Sequence, residues 1–107
     1  MMLTSDNIDK ELNQEGTILV KFISDDKKSY ELGIVLRKLN LPVYTVDVKQ
    51  HPDLMDDYDI DIIPTTLVFI NGQKIHEIIG FKTKTTILAI LTSNETDIPY
   101  KIKSGLM

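Results

Sequence analysis

The apolar positions along the chain fall into blocks of two kinds. Thr17–Ile23 (Thr-Ile-Leu-Val-Lys-Phe-Ile) is nearly continuous apolar sequence, the pattern of a strand covered on both faces. From Asp25 or Asp26 to about Asn40 the spacing changes: Leu32, Val35, Leu36 and Leu39 follow the i, i+3, i+4, i+7 rhythm of a helix with one buried stripe. Pro42 stops that helix, and the β-branched run Val43–Val48 predicts a second strand. Residues 17–48 therefore predict a right-handed β-α-β unit with parallel pairing. Upstream, Ser5 is placed to cap a short helix over Asp6–Gln14, with Ile8 and Leu12 on one face and Gly16 at its end. Downstream, Pro52 opens another short helix, Thr65–Ile70 and Lys74–Ile79 flank the hairpin signal Asn71-Gly72, and Thr83 caps a last helix with Ile87, Leu88 and Leu91 facing inward. The order is α, β, α, β, α, β, β, α.

This order describes an α/β domain, and the length of 107 residues allows one. No repeat or linker divides it, so the expectation is a domain over 1–93 and a C-terminal tail over 94–107. Apolar residues at 42% and charged residues at 26% are ordinary globular composition. No apolar run approaches a membrane span, and the start lacks the pattern of a signal peptide. The expectation is a cytoplasmic protein with no membrane contact. A net charge of −4 disfavours direct nucleic-acid binding. Eleven lysines against one arginine, with fifteen isoleucines, suggest an AT-rich genome, as in a low-GC bacterium or its phage. The chain has no cysteine, which excludes disulfides, thiolate metal sites and any thiol nucleophile or dithiol of its own.

The letters resemble the thioredoxin family, collinearly and without gaps from Thr17 to Leu91. Leu19-Val20-Lys21-Phe22 resembles the strand leading to that family's active site, and Val46-Asp47-Val48 with Pro52 resembles the strand and helix that follow. Tyr58-Asp59-Ile60-Asp61-Ile62-Ile63-Pro64-Thr65 is similar to the family's Tyr-Gly-Ile-x-x-Ile-Pro-Thr, and Phe69-x-Asn71-Gly72 and Gly80 complete the set. The resemblance implies a thioredoxin fold: a central mixed sheet of four to five strands with helices on both faces, its first edge strand reduced to Met1–Leu3. The family's Trp-Cys-Gly-Pro-Cys falls on Asp26-Lys27-Lys28-Ser29-Tyr30, and its buried acid falls on Lys21. Dithiol and proton relay are both replaced. Ile62 also stands where the family usually has glycine.

The resemblance further implies a cis peptide at Ile63-Pro64, a geometry that costs only about 0.5–1 kcal/mol before proline, and a backbone at Ile63 open to an extended peptide. The expected binding groove is Asp26, Lys27, Lys28, Ser29, Tyr30, Ile63, Pro64, Thr65, Gly80 and Phe81. No catalytic residue, metal or cofactor is expected. The leading expectation is a redox-inactive module, a monomer when free, that binds a protein or peptide. The family offers a precedent, because thioredoxin serves a phage DNA polymerase as a processivity subunit independently of its dithiol. Alternatives are a thiol-disulfide enzyme assisted by a partner or by glutathione beside Pro64, and a structural subunit of a larger, phage-like assembly.

Other residues read less sharply. Lys21 interrupts an apolar strand, so it either snorkels or pairs with Asp47, Asp61 or Glu31. His51 and His76 lack a third ligand at metal-site spacing. The aspartates from Asp53 to Asp61 read as a solvated acidic face rather than a calcium loop. In the tail, Ile98-Pro99-Tyr100-x-Ile102 is apolar enough to dock on a surface.

Overall fold

The computed structural model describes residues 1–92. Four strands form one mixed sheet in the order β2-β1-β3-β4. β1 (Thr17–Ile23) pairs parallel with β2 (Val43–Asp47), and α2 (Lys27–Arg37) makes the crossover between them. β3 (Thr65–Ile70) lies antiparallel to β1, and β4 (Gln73–Ile79) antiparallel to β3. The turn between β3 and β4 is Asn71-Gly72, with φ of 51° and 83°. Two successive positive φ values match the right-handed twist of a two-residue hairpin, and Asn followed by Gly tolerates them best.

Beyond β2, Met2 forms a parallel bridge with Thr45, and Leu3 N–H donates to the Thr45 carbonyl at 2.7 Å. This is the reduced edge strand, and it is anchored by the fully buried Leu3.

Each face of the sheet has its own core. α1 (Ile8–Leu12) and α3 (Pro52–Asp57) cover one face, where Ile8, Leu12 and Leu54 pack on Ile18, Val20, Phe22 and Leu67. α2 and α4 (Lys84–Thr92) cover the other, where Leu32, Leu36 and Ile87 pack on Leu19, Val68 and Ile78. Leu19 and Val20 belong to opposite cores because successive strand residues face opposite ways. The continuous apolar run of β1 follows from this two-sided cover.

Three expectations need correction. α1 begins at Ile8 with Asn7 as N-cap, not after Ser5; the Ser5 hydroxyl is drawn off to donate to the Asp53 carboxylate of α3. The helix that the spacing extends to Asn40 ends at Arg37, and Asn40 turns with a φ of 59° to bring the chain to β2. Leu88 is 40% exposed rather than inward-facing, since α4 commits only Ile87 fully to the core. The tail over 94–107 lies outside the described residues. No helix among the described residues is long and apolar enough to cross a membrane.

Candidate functional site

α2 starts where β1 leaves the sheet, so its first turn stands at the sheet's carboxyl end. Asp26 is the N-cap: extended, with a φ of −135°, it accepts from the Ser29 amide at 2.8 Å. Ser29 is buried, and its hydroxyl accepts from the Ser24 amide, which ties loop to helix. Hydrogen bonding from Ser29 holds the Asp26 carboxyl below its usual range. Lys27 and Lys28 follow, exposed in the first turn, where the helix dipole disfavours cations. Tyr30 completes the turn with 70% of its surface exposed. No packing need accounts for a tyrosine ring so exposed.

The second part of the expected groove lies at the start of β3. The Ile63–Pro64 peptide is cis. Pro64 and Thr65 are buried and Ile63 half-buried, and the Thr65 hydroxyl donates to the Ile62 carbonyl. Gly80 donates from its amide to the Pro64 carbonyl at 2.7 Å, which places the Gly80-Phe81 loop beside the proline. Phe81 packs partly against the core under α2 and α4.

Two hollows border these residues. Asp26, Lys27, Ser29 and Tyr30 line a cavity of about 550 Å³. It continues past Ile23 and Gly33 to Lys21 and Arg37. Thr65 instead lines a hollow of about 90 Å³ with Ile62, Ile79 and the acids Asp59, Asp61 and Glu77. Arg37 and Gly33 were not among the expected site residues. Their signal is in the sequence all the same: Asp26, Tyr30, Gly33 and Arg37 recur at the spacing of one helical face and span ~16 Å.

Lys21 takes neither expected course in full. It is half-buried and makes no ion pair with Asp47, Asp61 or Glu31; the ion pairs among the described residues are Lys49–Asp25 and Lys74–Glu77, each at 3.4 Å. Burial, and then the charge of Arg37, lower its pKa. His76 is lowered by burial alone, and its Nε2 has no hydrogen-bond partner. Among the described residues no three His, Asp or Glu side chains stand together as a metal site.

Comparison with known proteins gives consistent results. The thioredoxin family model matches residues 29–93, beginning inside α2. A thioredoxin of Griffithsia pacifica is 39% identical over 54 residues, half of each chain. Thioredoxin of Staphylococcus aureus is 31% identical over 49 residues, covering 46% of this chain and 47% of its own. The chain thus spans about half the length of the curated relatives it matches. In fold, the thioredoxin of Malassezia sympodialis superposes with a TM-score of 0.73 over 85% of this chain and 86% of its own, at 21% identity.

Proposed function

The chain belongs to the thioredoxin family but has no cysteine, and from that premise we propose that it is a non-redox module binding an extended segment of a partner protein. The proposed surface is made by Asp26, Lys27, Lys28, Ser29 and Tyr30 at the start of α2, with Ile63, Pro64, Thr65, Gly80 and Phe81 across from them. The observation carrying this reading is Tyr30. A large aromatic side chain, 70% exposed, stands at the position that matches the family's second cysteine and borders a cavity of about 550 Å³. An exposed tyrosine costs little entropy to immobilise and supplies both apolar area and a hydroxyl, the properties of a binding anchor. A dithiol reaction is closed to this chain, since neither Lys27 nor Tyr30 supplies a thiolate.

Selection from a displayed library of random peptides tests the proposal. Wild-type protein enriches a consensus, and Tyr30→Ala weakens binding of the selected peptide at least ~10-fold, about 1.4 kcal/mol, with an unchanged circular dichroism spectrum. Equal affinity in wild type, Tyr30→Ala, Ile63→Ala and Phe81→Ala overturns it.

A further inference from the structure

The far end of the larger cavity holds two cations that no acid among the described residues answers. Lys21 stands two residues after Leu19 along β1 and so shares its face, the side covered by α2. Its cross-strand neighbours are Thr45 and Thr66. Thr66 is fully buried, and its hydroxyl has no hydrogen-bond partner. Gly33 lets the lysine in. A Cβ there would lie 3.1 Å from Lys21 Nζ and 3.9 Å from Arg37 Nη1, so ammonium and guanidinium flank the same spot. Burial, and then repulsion from Arg37, lowers the Lys21 pKa.

The acids lining the cavity are engaged elsewhere. Asp25 pairs with Lys49, and Asp26 caps α2. Among the described residues neither Lys21 nor Arg37 has a carboxylate within the 4.0 Å of an ion pair. The like charge of the exposed Arg37 adds to the cost of half-burying the Lys21 ammonium, a cost that an opposite charge joining them relieves.

We propose that the Lys21–Arg37 end of this cavity binds an oxyanion, the carboxylate or phosphoryl group of a small ligand. The guanidinium offers a planar fork and the ammonium a movable point charge, complementary ways of holding such a group. The open hollow of about 550 Å³ is of small-molecule size and leaves room past Gly33 toward Tyr30 for the rest of the ligand. The site shares its cavity with Tyr30 of the proposed peptide-binding surface, but its two cations, Lys21 and Arg37, are not part of that surface.

Titration of the full-length isotope-labelled chain, followed by NMR, tests the site with inorganic phosphate and acetate in separate arms. Sodium chloride at matched ionic strength, in phosphate-free buffer, is the reference. The expected result is a saturable shift of the Gly33 amide and the Lys21 side chain, weakened at least ~10-fold in Arg37→Gln and in Lys21→Met. Saturation by phosphate alone assigns a phosphoryl ligand, and saturation by acetate, alone or as well, assigns a carboxylate. Arg37 is exposed, so Arg37→Gln decides the matter even where Lys21→Met folds poorly. No saturation by either anion beyond the chloride reference, or equal saturation in wild type and Arg37→Gln, overturns the proposal.

Discussion

Lys21 is where a single side chain changes the properties of the fold. A lysine with a depressed folded pKa is more easily deprotonated in the native state than in the unfolded chain, where it titrates near 10.5. Between the lowered folded value and 10.5 the unfolded state holds the extra proton, so stability rises with pH across that window. Below it, the charge is present in both states and is penalised only in the native one. Lys21→Met is therefore expected to be more stable than wild type at neutral pH and to lose the rise on approaching pH 10.5. Urea unfolding in chloride buffer at pH 7 and across the alkaline range measures both. A variant less stable at pH 7, with the alkaline rise intact, contradicts this account. That Lys21 is unusual was legible in its strand; that Arg37 rather than a carboxylate stands beside it was not, because sixteen positions of chain and a whole helix separate the two.

At the scale of the element, the start of α2 is held by a short circuit of hydrogen bonds: Asp26 accepts from the Ser29 amide, and Ser29 Oγ accepts from the Ser24 amide. Ser29→Ala leaves the Ser24 N–H in a part-buried place without its acceptor, for an expected loss of about 1–3 kcal/mol in urea unfolding. Hydrogen bonding from the Ser29 side chain is also the first cause of the lowered Asp26 pKa. In wild type a lowered carboxylate contributes stability above its ordinary value of 3.8 that is lost as pH falls through the folded value. In Ser29→Ala the Asp26 pKa moves up toward 3.8, and this acid-linked loss shrinks, as NMR titration of the Asp26 carboxyl would record. The apolar spacing located α2, since a buried stripe must repeat with the helical period. Its end was misplaced because Leu39 still packs against the core from beyond the last helical turn. α1 was displaced for a similar reason: Ser5 has the chemistry of a cap, but a tertiary acceptor on α3 takes its hydroxyl.

At the scale of the molecule, the described residues form one sheet between two cores, which share no side chain. Ile8 and Ile87 sit in opposite cores at 3% and 0% exposure. Ile8→Val and Ile87→Val are each expected to cost about 0.5–1.5 kcal/mol, and the double variant to equal their sum within about 0.5 kcal/mol. Chemical denaturation of the four proteins checks this, and a larger coupling means that the sheet transmits packing strain from one face to the other.

The sequence by itself determined the order of elements, the two-sided burial of β1, the Asn71-Gly72 turn and the loss of dithiol chemistry. Each of these follows from local periodicity, turn stereochemistry or the presence of an atom type, which the order of residues already contains. Only the tertiary structure decided that Tyr30 stands out from the surface and that Lys21, Gly33 and Arg37 meet. Those facts depend on how α2 lies across the sheet. That placement is set by the packing of Leu32 and Leu36 on Leu19 and Val68, contacts between segments far apart in the chain. The missing cysteines are thus a fact of sequence, while the charged cavity beside their former positions is a fact of packing.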